Sequence, residues 1–205
     1  DAIAFDFSNK EKIEDLIKNK ILKIHNKIDI LVTNSGGPKS GMFFDLDESD
    51  WELSYDSTFN FIRKQYEYVI PIMRKNNWGR IININSLSAK QPAESLVLSN
   101  VFRTAVIGLS KSICSSLIKD NITINNICPG AFKTQRAIEL MEKQSELTGK
   151  TIKEVEEQAV KNLPMGKYQS PSELGSLVAY LSSELASSLT GTTIQLDGGI
   201  YNGLL

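Results

Sequence analysis

The segment Asp29-Ile-Leu-Val-Thr-Asn-Ser-Gly-Gly-Pro38 decides the fold. Residues 28–33 are a continuous apolar run without polar alternation, the pattern of a strand covered on both faces. The Asn-Ser-Gly-Gly-Pro that follows continues neither strand nor helix, so the chain turns there. This unit recurs: residues 80–85 run into Asn85-Ser86-Leu87-Ser88, and residues 122–128 stop at Pro129-Gly130.

Working outward, residues 50–75 and about 94–119 have helical patterning. Upstream, residues 2–7 form a short apolar run read as a strand. Ser8 and Glu11 then make an S-x-x-E capping box, and Ile13, Leu16, Ile17, Ile21 and Ile24 recur at helical spacing. Downstream, residues 135–163 are amphipathic. Thr151–Glu154 and Ser170–Glu173 are two more capping boxes, the second with Pro171 at the first helical position. Residues 193–196 form a last strand, closed by Asp197-Gly198-Gly199. The order β-α-β-α-β-α-β-α-α-β predicts one α/β domain over residues 1–205, a parallel sheet between two helical layers. Such sheets bind ligands at the carboxyl ends of their strands, which directs attention to residues 34–37, 85–88 and 129–134.

Bulk properties narrow the function. The net charge of −1 is not the basic excess that nucleic acid or an anionic membrane selects, so neither is expected as a partner. Uninterrupted apolar runs stop short of a membrane span. Cys114 and Cys128 carry no disulfide or metal spacing and read as two buried, reduced thiols of a cytoplasmic protein. His25 is the only histidine and lies in a Lys-rich amphipathic stretch, so it reads as helix surface; no metal site is expected.

Taken together, the strand ends resemble the classical short-chain dehydrogenase/reductase family. Asp29-Ile-Leu-Val-Thr-Asn-Ser-Gly36 is similar to D-x-L-V-N-N-A-G, and residues 79–86 are similar to G-R-I-V-N-I-S-S. Cys128-Pro-Gly-Ala-Phe-Lys-Thr134 fits P-G-x-x-x-T, and Thr190 to Gly199 follows T-G-x-x-x-x-V-D-G-G. The resemblance implies a Rossmann-type doubly wound sheet, an NAD or NADP cofactor and a small-molecule carbonyl or alcohol substrate. It implies cofactor contacts from Asp6, Phe7, Asn34, Ser35, Gly36, Arg103, Pro129, Gly130, Phe132 and Thr134, and places Ser86 at the catalytic serine. It also implies a substrate lid over residues 135–163, with Met141, Leu147 and Val155 as possible lining. A homodimer or homotetramer is expected through residues 61–72 and 101–117.

Two departures stand out. No Gly-rich phosphate-binding fingerprint occurs in the chain, which opens on the family's third strand; a truncation of on the order of 50 residues is expected. Ser99 and Arg103 stand where the family has tyrosine and lysine, and Thr58 where it has a helix asparagine, a combination similar to a prokaryotic subgroup labelled 3-oxoacyl-carrier-protein reductase-like. Serine is a far weaker acid than a phenol, and arginine does not release its proton near neutrality. Loss of a positioned proton donor typically costs about 10²–10⁴ in rate. Three readings follow. The chain is a reductase in which Ser86 and Ser99 orient the substrate while Lys90, or less directly Tyr55 or Tyr168, manages the proton. Alternatively, it is a weakly catalytic NAD(P)-binding sensor or partner subunit. The third reading, a structural interaction protein, is disfavoured by the cofactor-side residues.

Overall fold

The computed structural model describes residues 2–6 and 12–204, except for the side chains of residues 136, 140 and 143. Phe7 and the Ser8–Glu11 capping box therefore lie outside the described residues.

Four parallel strands, β1 (Ile30–Thr33), β2 (Gly79–Ile84), β3 (Ile122–Pro129) and β4 (Thr193–Leu196), pair in chain order. Ile30 lies opposite Arg80, Gly79 opposite Ile122 and Asn126 opposite Thr193. Parallel pairing brings all four carboxyl ends to one edge. Helices α1 (residues 13–24), α2 (residues 48–76) and α3 (Val97–Leu117) cover one face. Of α4 (Gln135–Thr148), α5 (Ile152–Val160) and α6 (Pro171–Leu181), the last covers the other face.

Alternation along the strands supplies both cores. Ile81 and Ile124 pack with Ile13, Ile17, Ile62, Val69, Met73, Val106 and Leu117. Ile82, Ile84 and Ile127 face the other way, against Leu181 and Ala186. The expected three-layer α/β architecture is therefore present. Burying one such side chain fully is worth roughly 1.5–3 kcal/mol.

The strands are less apolar than their sequence suggested, because β2 and β3 carry buried asparagines. Asn83 accepts from Thr33 Oγ1 at 2.7 Å and from the Tyr66 hydroxyl at 2.6 Å, and donates to Ser110 Oγ and Asn126 Oδ1 at 3.1 and 3.0 Å. These side chains join β1, β2 and β3 to α2 and α3. Asn125 likewise ties β3 to the turn before β4, donating to Leu189 O and accepting from Thr192 N and Oγ1. Burial pushes the Tyr66 phenol well above its ordinary range.

Other expectations need correction. Residues 2–6 are not a strand: no ladder pairs them, and Phe5 instead stacks on Phe61 with centroids 6.1 Å apart. An apolar run becomes a strand when a neighbour completes its hydrogen bonds, and none does here among the described residues. In α1 a π-helical turn over Leu16–Ile21 shifts the register, so Ile13 and Ile17 are buried while Ile24 is 63% exposed. A second π-turn, Tyr55–Asn60, interrupts α2. Residues Val97–Asp120 match a membrane span in length and mean apolarity, although uninterrupted runs had suggested no such segment. On this helix Val106, Cys114 and Leu117 pack onto the sheet, while Val101 and Ile118 are exposed. Cys114 and Cys128 are both free and buried, and His25 is exposed at the end of α1.

Candidate active site

The turn after β2 builds the site's centre. Ser86 leaves the sheet extended, and its Oγ accepts from Ser88 N at 3.1 Å, capping a 3₁₀ turn over Leu87–Ala89. A serine that hydrogen-bonds two residues ahead favours such a turn over further strand. This bond also fixes Ser86 Oγ. Ser88 Oγ lies 2.9 Å from Ser86 Oγ and 2.9 Å from Ser99 Oγ, which stands in the first turn of α3. Three hydroxyls thus form a row from strand end to helix. Ser86, Ser88, Gln91, Leu96, Pro129 and Ile200 are among the residues bounding a cleft of about 380 Å³. Ser99 does not line it.

One helical turn beyond Ser99, Arg103 projects back under the strand ends. Its Nη1 donates to Ile84 O at 3.1 Å, and its Nη2 donates to Ser35 O at 3.0 Å and Gly36 O at 3.2 Å. Asn85 Nδ2 donates to the carbonyl oxygen of Arg103 at 3.1 Å. The guanidinium therefore clamps the end of β1 to the end of β2. Its Nε is buried without a partner. Burial lowers its pKa, but a guanidinium titrates so high that it remains cationic. Cys128 lies close enough to feel that charge, yet burial pushes its thiol up to about 11 and keeps it protonated at neutral pH.

Around this centre the other expected residues take distinct positions. Asn34 and Gly36 are exposed at the end of β1, and a Cβ added to Gly36 or Gly37 would meet nothing within 4 Å. Ser35 is buried with an unpartnered Oγ. At the end of β3, Gly130 N donates to Leu196 O, and a Cβ on Gly130 would stand 2.6 Å from Asp197 Cα. Glycine is thus required there by the close approach of the chain after β4. Phe132 bridges to Gln169, while Thr134 Oγ1 caps α4 by accepting from Ala137 N at 3.3 Å.

Lys90 does not line the cleft; its Nζ sits 5.0 Å from the centre of the Tyr201 ring. Nearby, Asn202 N donates to Gln91 Oε1, and the Asp197 carboxylate accepts from Gly199 N and Tyr201 N. These bonds hold Ile200 as a wall of the cleft. Tyr55 packs with Phe59 and Phe102, and neither it nor Tyr168 lines the cleft. Asp6 is exposed and borders a separate cavity with Lys12 and Lys20. Thr58 is fully buried in the second π-turn with an unpartnered Oγ1.

The expected lid is a helix pair, α4 and α5. Met141 and Val155 are buried while Leu147 is 73% exposed, and none of the three borders the cleft. A 2.6 Å ion pair from Lys133 to Glu156 ties α5 to the loop after β3. Sequence reasoning missed Gln91 and Ile200, and reached Ser88 only as part of the cluster 85–88, without a role. The S-x-S spacing of residues 86–88 was the available signal for Ser88, since it favours the turn that brings the two hydroxyls together. Among the described residues no group of three His, Cys, Asp or Glu side chains is placed to hold a metal.

This edge suits an extended anionic cofactor. Open space lies before Gly36 and Gly37, Ser35 offers an unused hydroxyl, Arg103 supplies positive charge, and the amino end of the 14-residue α4 points from Thr134.

Comparison with known proteins agrees with that chemistry. A family described as Enoyl-(Acyl carrier protein) reductase matches residues 1–201. The 3-oxoacyl-[acyl-carrier-protein] reductase of Aquifex aeolicus is 30% identical over 193 residues, covering 92% of this chain and 73% of that protein. Nodulation protein G of Azospirillum brasilense is 28% identical over 84% of this chain, which spans just under two thirds (66%) of that relative's length. L-sorbose reductase of Gluconobacter frateurii, solved with NADPH and L-sorbose, superposes with a TM-score of 0.93 at 26% identity, covering 98% of this chain and 77% of that one.

Proposed function

The chain belongs to the short-chain dehydrogenase/reductase family, and on that premise we propose that it is an NAD(P)-dependent oxidoreductase interconverting a carbonyl and an alcohol, with 3-oxoacyl compounds as the substrate class. The observation that carries the reading is Ser86, fixed by its own turn, facing a cleft between the ends of β2 and β3. A nicotinamide held at this edge would supply hydride chemistry at the substrate carbon. Asn34, Ser35, Gly36 and Thr134 hold the cofactor side. Ser86 holds the substrate oxygen, and Leu96, Pro129 and Ile200 give the cleft an apolar wall suited to an acyl chain.

We further propose a non-standard centre in which no phenol serves as proton donor. Ser99 is turned toward Ser88, and Arg103 is directed to backbone carbonyls, so neither reproduces the family's tyrosine and lysine. Solvent in the open cleft is then the proton source for the developing alkoxide. That arrangement also supports a second reading, a weakly catalytic NAD(P)-binding sensor or partner subunit. A homodimer or homotetramer built through α2 and α3 completes the proposal.

The test is nicotinamide absorbance with the full-length protein, NADH or NADPH, and a panel of 3-oxo esters, ketones and alcohols, alongside cofactor binding. Turnover that falls about 10²–10³-fold in Ser86→Ala, the usual effect of removing an oxyanion donor, supports the enzyme. Tight cofactor binding without turnover on any member overturns it in favour of the sensor or subunit.

A further inference from the structure

We infer that Ser99, Ser88 and Ser86 form a one-way chain of hydroxyls that makes Ser86 a dedicated hydrogen-bond donor to the substrate oxygen, with Ser88 and Ser99 as positioning residues. The inference rests on the carbonyl–alcohol reading above for what occupies the cleft. The direction of the chain rests on geometry alone.

Each hydroxyl has one proton to donate and two lone pairs to accept with. The contacts from Ser86 to Ser88 and from Ser88 to Ser99, 2.9 Å each, hold one proton apiece. Suppose the protons ran from Ser86 toward Ser99. The Ser99 proton would then need an acceptor of its own, yet Ser99 is only 9% exposed. Ser88 is its one hydroxyl partner among the described residues. A buried donor would be left unsatisfied, which native interiors avoid.

The opposite direction places every proton. Ser99 donates to Ser88, and Ser88 donates to Ser86. The Ser88 amide already donates to Ser86 Oγ at 3.1 Å, so both lone pairs of Ser86 are filled. Its own proton is left, and Ser86 is the member of the row that is partly exposed to the cleft. Toward the cleft Ser86 therefore gives a hydrogen bond and has no lone pair left to accept one, which suits a carbonyl or alkoxide oxygen. Hydrogen bonds in series polarise one another, so the two serines behind it strengthen that donation. Ser99, at the sequence position of the family's tyrosine, acts through Ser88 instead of touching the substrate.

Neutron diffraction from the perdeuterated full-length protein reads the direction. Deuterium on Ser99 Oγ aimed at Ser88, with that on Ser88 aimed at Ser86, is expected; the reverse order overturns the inference whatever the activity. Kinetics with NADPH and ethyl acetoacetate test the positioning roles. Ser88→Ala is expected to lower kcat by about tenfold or more while KM moves little, since it removes a partner of the donor and not the donor itself. Ser99→Ala is expected to lower kcat by roughly threefold to tenfold, and Ser99→Thr, which keeps the hydroxyl, to recover most of that loss. Wild-type kcat in both alanine variants overturns the positioning roles. A wild-type protein that turns over neither this ester nor the wider panel overturns the carbonyl–alcohol reading, and the neutron result still decides the hydroxyl direction.

Discussion

Removing the guanidinium of Arg103 strands three backbone carbonyls at the ligand edge of the sheet, those of Ile84, Ser35 and Gly36. Each buried acceptor left unpaired costs about 1–3 kcal/mol, part of which water recovers at this edge, so Arg103→Met should destabilise the protein by roughly 2–4 kcal/mol. Urea unfolding measures this, and Arg103→Lys should fall between variant and wild type. Cys128 has a thiol pKa raised by burial to about 11, above that of an unfolded chain. Its contribution is therefore complete below the unfolded pKa of about 8.5 and fades as pH rises from there through the folded value. The urea midpoint should fall over that alkaline window, and more shallowly in Cys128→Ala. Sequence gave the positions of Ser86, Ser99 and Arg103 through spacing and resemblance, but not the atoms they address. A side chain four residues along a helix can reach substrate or scaffold with equal ease, and only packing decides between them.

At the scale of elements, the strands were legible because apolar runs end at Gly, Pro or Asn, and two capping boxes marked helix starts to the residue. The π-turns were not legible, since an extra residue in a helical turn leaves hydrophobic spacing nearly unchanged in sequence while it rotates the face below. Residues 2–6 misled for another reason: strand formation depends on a partner that local sequence does not encode. Thr58 lies in the second π-turn with a buried, unpartnered hydroxyl. Thr58→Val removes that group at nearly constant volume, so stability should hold or rise by up to about 1 kcal/mol in thermal unfolding. In α5, Glu154 accepts from Thr151 N and Oγ1, and these bonds hold its carboxyl below the ordinary range. A depressed carboxylate pKa stabilises above the unfolded value and loses its effect as pH falls through the folded one. Amides at the start of α5 should therefore lose protection, relative to the exchange of an unstructured chain at the same pH, below about pH 4, and Glu154→Gln should weaken that dependence.

For the whole molecule, the two cores explain why helices sit on both faces, and the asparagine network explains why β1, β2 and β3 hold together near their ligand edge. The proposed oligomer belongs at this scale. A groove of about 310 Å³ runs between α2 and α3, lined by Tyr66, Ile70, Leu109 and Ile113 among others. Leu109→Glu places a charge in it and should shift light scattering toward the monomer if copies meet there. The outer side of β1 has a different consequence. Among the described residues no strand pairs with it, and Ile30 and Val32 are 45% and 42% exposed. An outer side lined by aliphatic side chains is the kind of surface along which a further strand can be laid. Expressed by itself, this 205-residue stretch should grow turbid on storage at high concentration. Val32→Lys, which sets a charge on that side, should delay the haze.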